Sequence, residues 1–210
     1  MIKYKLYSRK SSFKKDKKNS QLFLELIIKK KPKNFLEVGV LQGVTARNVC
    51  EILNKYFPNN FKYVGIDLFD SVTKEENDKE FTPIHNKISN PFKNFYFNFI
   101  LRINLNSYSA VKKLLNKFKE NVILHKGYSS KVLNKIDLEE IDFVFLDGGH
   151  SYKTVKEDLN ILLNNMKKNK TIICDDYNQS HYGVKQAVDE IDKNKFKVSI
   201  LNDRFAEIIT

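Results

Sequence analysis

The sequence predicts an α/β fold: a three-layer, doubly wound sheet, mostly parallel, with a C-terminal antiparallel hairpin. Three observations carry this. First, two apolar runs of strand length, 141–146 and Thr171–Cys174, end abruptly in Asp147 and in Asp175-Asp176. An apolar run bounded by turn signals reads as a buried strand, and charges at its end belong at the rim of a sheet, where open α/β folds bind ligands. Second, such runs alternate with stretches of helical periodicity, the order that gives parallel strands joined by helical crossovers. Third, the last two runs, 196–201 and Phe205–Ile209, are joined around Asn202-Asp203 with no room for a helix, so at least one strand must be antiparallel.

The elements follow in order. Residues 1–16 are basic and aperiodic and read as a loose arm. Residues 20–30 carry apolar side chains at 22, 23, 24, 26, 27 and 28, compatible with a short helix that Pro32 ends. Strand one is expected at 34–39. A helix at 45–56 follows, with apolar positions 46, 49, 50, 52 and 53, and strand two at 63–66 ends at Asp67. From 70 to about 107 no clean period exists, and Phe81, Phe92, Phe95, Tyr96, Phe97 and Phe99 lie among asparagines and lysines. A connection of that length is usually functional or mobile, so it reads as an insertion: a lid, a substrate wall, or aromatics packed on the domain. A helix at 108–118, strands at 122–125 and 141–146, a helix at 152–166, the strand Thr171–Cys174 and a helix at 183–191 complete the series before the hairpin.

A length of 210 residues favours one domain over 1–210, and a chain of that size can bury roughly 70% of its unfolded surface. No apolar run reaches the ~18 residues of a membrane span, and no apolar h-region follows the basic start, so a signal peptide is not expected. Cys50 and Cys174 are too few for a disulfide framework, which fits a reducing, cytoplasmic setting. The net charge of +12 raises nucleic acid as a partner. Lysine supplies nearly all of it, however, in a chain also rich in asparagine and isoleucine. That is a composition bias before it is a binding signal, with attraction to an anionic substrate or surface as the alternative. A homo-oligomer is compatible with the sequence.

Two motifs describe a ligand. Glu37-Val-Gly39-Val40-Leu-Gln-Gly43-Val-Thr45 joins strand one to the next helix. Gly39 permits a tight turn and close approach to a ligand, and the helix start beyond Gly43 offers free N–H groups to an anion. Leu41 stands where a dinucleotide fingerprint has its middle glycine, which counts against a pyrophosphate there. Asp67 ends strand two and can accept both hydroxyls of a ribose. Together these describe a nucleoside with a short charged tail and no diphosphate, the shape of S-adenosylmethionine. Asp147, Asp175 and Asp176, from two strand ends, could meet around one hard cation.

These residues carry a resemblance. Leu36-Glu-Val-Gly-Val-Leu-Gln-Gly43, Val64-Gly-Ile-Asp67, Leu124-His-Lys-Gly-Tyr-Ser129, Asp147-Gly-Gly-His-Ser-Tyr152, Asp175-Asp-Tyr177 and Gly183-Val-Lys-Gln-Ala-Val-Asp189 occur in that order over 34–192. The chain resembles the class I S-adenosylmethionine-dependent methyltransferases, whose fold is Rossmann-like. Within them it is similar to the small metal-dependent O-methyltransferases of the macrocin O-methyltransferase and cephalosporin-hydroxylase-like group. The resemblance implies that Glu37 and Gly39 line the methionine end of the cofactor, that Thr45 lies near its carboxylate, and that Asp67 holds the ribose. Ser129 would contact the adenine edge, and Val40, Gly43, Leu68 and Asp147 would complete the cofactor-binding set. Asp147, Asp175 and Asp176 would hold Mg²⁺ or another hard divalent cation that orients an acceptor hydroxyl and lowers its pKa. His150 stands where catechol O-methyltransferase has its catalytic lysine, and a histidine can serve as general base near neutral pH. The implied acceptor is a small hydroxylated molecule such as a sugar or glycan precursor.

Two other functions are alternatives to this one. A nucleic-acid methyltransferase of the amino-methylating kind usually carries Asn/Asp-Pro-Pro-aromatic after strand four, where this chain has Asp147-Gly-Gly-His150; Asn90-Pro91-Phe92 is incomplete and lies before strand three. A non-catalytic partner-binding protein on the same fold would be favoured by loss of the aspartates or glycines, which are intact. His85, His125 and His181 have no partner visible in the sequence, although His181 could reach the pocket.

Overall fold

A computed structural model describes residues 2–69, 104–178 and 182–210, together with Phe92, Phe95 and Tyr96. Its centre is one sheet. Strand β1 (Asn34–Val38) pairs in parallel with β2 (Lys62–Asp67) on one side and with β4 (Phe143–Leu146) on the other. Outward from these, β3 (Val122–Lys126) pairs in parallel with β2, and β5 (Thr171–Cys174) with β4. The hairpin of β6 (Lys197–Leu201) and β7 (Phe205–Ile209) adds two antiparallel strands, β7 lying against β5. The order is β3-β2-β1-β4-β5-β7-β6. The expected doubly wound sheet with a terminal antiparallel hairpin is thus present.

Alternate strand residues face opposite sides, and each side builds its own core. Phe35, Tyr63, Phe143, Phe145, Ile173 and Phe205 meet helices α1 (Lys17–Lys30), α2 (Val44–Tyr56) and the side chain of Val111 in α3 (Tyr108–Leu114). Leu36, Val38, Val144, Leu146, Ile172 and Ile208 meet α4 (Ser129–Leu133), α5 (Tyr152–Asn165) and α6 (Tyr182–Asp189). Burial on both faces is why these strands read as continuous apolar runs. On the first side the packing is aromatic: ring centroids are 5.1 Å apart for Phe35 and Phe143 and 4.4 Å for Phe23 and Phe145.

The chain differs from expectation in several places. Helix α1 starts at Lys17 because the Asp16 side chain accepts from the Asn19 backbone N–H at 3.1 Å, an N-cap ahead of the apolar pattern. The helix expected over 108–118 is α3 followed by a 3₁₀ turn, Asn116–Phe118. Helix α4 and a 3₁₀ turn at Leu138–Glu140 are too short to show a period in sequence. The expectation for 70–107 falls largely outside the described residues; within it, Phe92, Phe95 and Tyr96 are exposed and Leu105 and Asn106 are buried.

The largest correction concerns the N-terminal segment, which is held rather than loose. Phe13 is 2% exposed, 5.5 Å from Phe23 and 6.1 Å from Phe145 between centroids. Before it, the Lys5 N–H donates to Asn48 at 2.9 Å and the Lys10 N–H to the Gln42 side chain at 2.7 Å. Arg9 donates to the carbonyls of Gln42 and Ala110 at 3.0 and 3.1 Å. Isolated apolar residues in a basic stretch give no periodic signal, and their partners lie far away in sequence.

Beneath the sheet rim, Glu37 is buried and accepts a hydrogen bond from the Tyr63 hydroxyl. Burial raises its pKa to about 8, the Tyr63 hydrogen bond pulls it down and the charge of Asp67 adds to the rise.

Two outcomes are expected. Phe13→Ala should cost about 3–5 kcal/mol in denaturant unfolding, as for other buried phenylalanines, whereas an unattached arm would change stability by less than ~0.5 kcal/mol. A carboxyl whose folded pKa is raised stabilises fully below its unfolded value and loses that contribution as pH rises through the folded one. From the ordinary value of 4.5 to about 8, the wild type should therefore lose up to ~1.4 kcal/mol per pH unit relative to Glu37→Gln. Parallel stability curves for the two proteins would contradict this.

Candidate active site

The site lies at the carboxyl ends of β1, β2, β4 and β5. Single backbone bonds carry the ladder past each strand: Gly39 N–H to Ile66 O, Asp147 N–H to Val38 O and Asp175 N–H to Leu146 O, all at 2.9 Å. From β1 the chain turns to α2 on one face, and from β4 to α5 on the other. That divergence opens a crevice between them, the usual ligand position in this architecture. Gly39 has φ +93°, and a Cβ there would sit 2.0 Å from the Asp147 carbonyl oxygen. No other residue fits.

A cavity of about 860 Å³ occupies the crevice, within the size range of small-molecule sites. It brings together Gly39, Asp67, Leu68, Ser129, Asp147, His150 and Asp176 of the expected site residues. Glu37, Val40, Gly43, Thr45 and Asp175 do not line it. Glu37 lies below, against Tyr63. Thr45 is 6% exposed and its hydroxyl is hydrogen-bonded to that of Tyr4 at 2.8 Å. The N-terminal segment thus covers the helix start expected to face the cofactor's carboxylate. His181 lies outside the described residues, as does His85.

Asp67 anchors one half. Its carboxylate accepts the Leu41 N–H at 2.7 Å and the Phe69 N–H at 2.6 Å. Burial raises its pKa, and these backbone bonds act against the rise. A carboxylate has about four acceptor positions, so capacity remains for a ligand's hydroxyls.

The other half is acidic. His150 Nε2 is 3.0 Å from Asp176 Oδ2. Ligand atoms of Asp147, His150 and Asp176 all lie within 4.8 Å of one another. The Asp147 carboxyl is pushed well above the usual range by burial and by the charges of Asp175 and Asp176, while the Ser12 hydroxyl, donating at 3.0 Å, counteracts this. Asp175 stands apart from the expected metal trio. Both its oxygens accept from Arg204, Nε and Nη2 each at 2.6 Å, and its side chain is 1% exposed. Arg204 also donates to Asp16 at 2.9 Å. Burial opposes its charge, but Asp175 and Asp16 outweigh that and raise its pKa.

Sequence reasoning missed Ser12, Lys14 and Lys15, which line the cavity, and Arg204, which holds its rim. One signal existed. The chain has only four arginines, and arginine is not interchangeable with lysine where a planar bidentate pair is needed.

Comparisons with known proteins agree with the fold. No curated protein sequence gives a significant match. Among solved structures, the O-methyltransferase TomG of Streptomyces achromogenes, involved in tomaymycin synthesis and determined with S-adenosylmethionine, superposes with a TM-score of 0.62 at 13% identity, covering 93% of this chain and 80% of that one. An O-methyltransferase from Bacillus cereus, in complex with SAH, gives 0.61 at 11% identity, covering 95% and 84%. CalS11, a TDP-rhamnose 3′-O-methyltransferase of calicheamicin biosynthesis, gives 0.61 at 14% identity, covering 94% and 81%. At such identities the likeness speaks for the fold. A family model described as a methyltransferase domain matches residues 36–177, which run from within β1 to just past β5 and include most of the residues that line the cavity. The chain belongs to this family and is an S-adenosylmethionine-dependent methyltransferase.

Proposed function

We propose that this methyltransferase acts on a hydroxyl of a small acceptor, such as a sugar or glycan precursor, with a divalent cation at its acidic rim. The observation that carries the reading is the convergence of Asp147, His150 and Asp176 on a cavity that also contains Gly39 and Asp67. The sugar class rests on the motif set Asp147-Gly-Gly-His-Ser-Tyr152 with Asp175-Asp-Tyr177.

In this reading Asp67, fixed by two backbone N–H groups, accepts the ribose hydroxyls. Leu68 flanks it and Ser129, at the start of α4, meets the adenine edge. Gly39 leaves the space in which the methionine end lies. When bound, S-adenosylmethionine supplies an electrophilic methyl on a positively charged sulfur, which the acidic rim stabilises.

The donor set fits a cation. Burial raises the pKa of Asp147 and the charges of Asp175 and Asp176 add to the rise, a cost that a positive ion would relieve, and carboxylate oxygens favour Mg²⁺, Ca²⁺ or Mn²⁺. Asp147 and Asp176 would hold it, with Asp175 engaged by Arg204. Such an ion would bind the acceptor oxygen and lower its pKa. With Nε2–H donated to Asp176, His150 keeps Nδ1 as its basic nitrogen and takes the acceptor proton there. S-adenosylmethionine would supply the methyl to the acceptor oxygen, the electron pair of the broken bond staying on sulfur, while His150 holds the acceptor's proton. Positioning oxygen and methyl in near-attack geometry would supply much of the acceleration.

Calorimetry of S-adenosylmethionine, with and without Mg²⁺, tests the cofactor assignment. Asp67→Ala should weaken binding ~10–100-fold, the loss expected for hydrogen bonds to a charged acceptor. An absence of binding by the wild type would overturn the reading. In a turnover assay over hydroxylated acceptors, Asp147→Ala should abolish methyl transfer, and full activity would sink the cation site. His150→Ala should lower the rate ~10²–10⁴-fold and remove the acidic limb of the pH–rate profile. An unchanged profile would exclude it as the base.

A further inference from the structure

The motif Gly183-Val-Lys-Gln-Ala-Val-Asp189 forms most of α6, and none of its residues lines the cavity. Val184, Ala187 and Val188 share one core with Val155, Leu159 and Leu162 of α5. The glycine that opens the motif lies directly on the chain that carries His150. A Cβ at Gly183 would sit 2.5 Å from the His150 carbonyl oxygen, 2.5 Å from the Tyr152 backbone nitrogen and 2.9 Å from the Ser151 carbonyl carbon. All three are backbone atoms, so no side-chain rotation could make room. Gly183 is not among the glycines of positive φ, and glycine is a poor helix former. The close approach, not the backbone conformation, calls for it here.

The other end of α6 is tied to both sides of the acidic rim. Asp189 accepts from the Tyr177 hydroxyl at 2.6 Å, and Tyr177 is the chain neighbour of Asp176. Glu190, the residue after the helix, accepts from Tyr152 at 2.6 Å and from Lys156 at 3.0 Å, both in α5. His150 follows β4 and Asp176 follows β5, so their 3.0 Å contact joins two separate turns. Helix α6 reaches both of them, the 150–152 backbone through Gly183 and the turn after β5 through Asp189. The hydrogen bonds at its far end are exposed and of small individual worth. The contact at Gly183 is the rigid one, because close-packed backbone passes a displacement on.

We propose, on the basis of the role given to His150 above, that α6 braces the His150–Asp176 pair and that Gly183 is a positioning residue of the transfer site. It acts through the backbone of residues 150–152. A methyl group at position 183 would lift α6 away from the start of α5 or push the 150–152 backbone aside, and either movement draws the imidazole off Asp176.

The test is the ring-nitrogen chemical shifts of His150, read by long-range proton–nitrogen correlation in metal-free buffer above neutral pH and assigned with His150→Gln. Asp176→Gly, which tolerates the left-handed φ of 57° at that position, supplies the shifts of the imidazole without its partner. Gly183→Ala should move the His150 shifts more than half of the way to that reference. Ile208→Val, which loosens the same core from β7, should leave them at their wild-type values. Unchanged shifts in Gly183→Ala overturn the brace, as does equal movement in both variants, the mark of general loosening. Should Gly183→Ala fail to fold, Tyr152→Phe/Tyr177→Phe decides by the same shifts, since it removes the hydroxyls tied to Glu190 and Asp189. Movement toward the reference supports the brace, and wild-type shifts overturn it. Identical shifts in the wild type and Asp176→Gly would overturn the contact itself. Full turnover by His150→Ala, with the shifts behaving as expected, would instead remove the reading of His150 as the base and leave the brace standing.

Discussion

The site depends on the close approach of two backbones, at the ends of parallel β1 and β4, where the strand order reverses. Gly39 leaves β1 against the carbonyl of Asp147, which leaves β4, with no space for a Cβ between them. Because β1 and β4 are hydrogen-bonded neighbours whose chains depart to opposite faces, the crevice forms at their ends. Any side chain at 39 would have to push Asp147 away, and with it the cluster formed with His150 and Asp176. One glycine thus sets the distance between the half of the cavity organised by Asp67 and the acidic half.

Around this junction the backbone is strained, and carboxylates hold it. Leu41, Phe69 and Asp176 adopt left-handed φ values of 52°, 53° and 57°, in the turns after β1, β2 and β5. Such conformations cost about 1–3 kcal/mol each for non-glycine residues. Asp67 accepts the N–H groups of both Leu41 and Phe69, so a single side chain stabilises two of the three. The third, Asp176, donates its N–H to the Asp175 side chain at 2.8 Å. The residues read from sequence as ligand-binding therefore also shape the turns that present them.

Much of this was legible because the central strands are buried on both faces. The strands Thr171–Cys174 and Phe205–Ile209 have the bounds that the sequence predicts, since polar residues flank them sharply. The motifs placed Gly39, Asp67, Ser129, Asp147, His150 and Asp176, which share the cavity. They could not separate residues that line it from residues that support it: Glu37, Gly43 and Thr45 belong to the same motif, yet Glu37 faces the core and Thr45 faces Tyr4. Helix α4 was missed because five residues show no period. The N-terminal segment is not legible in the same way because its anchors, Tyr4 and Phe13, belong to no helix or strand of the fold and depend on distant partners.

Asp175 shows the same limit most clearly, and its pairing bears on the charge of the site. From sequence, three adjacent strand-end aspartates look equivalent. In the fold, Arg204, 29 residues away, takes both oxygens of Asp175 and stacks over Phe13 at 4.6 Å. A guanidinium buried against a carboxylate incurs desolvation on both sides, which good bidentate geometry must offset. Without Arg204, Asp175 would be an unpaired buried charge beside Asp147 and Asp176. With it, one of the three negative charges is cancelled by the protein itself. Asp147 and Asp176 then carry, when both are ionised, the charge that a single divalent cation would balance. The same arginine ties Asp16 to the rim, so the interaction that sets the charge of the acidic end also holds the N-terminal segment whose Ser12 donates to Asp147.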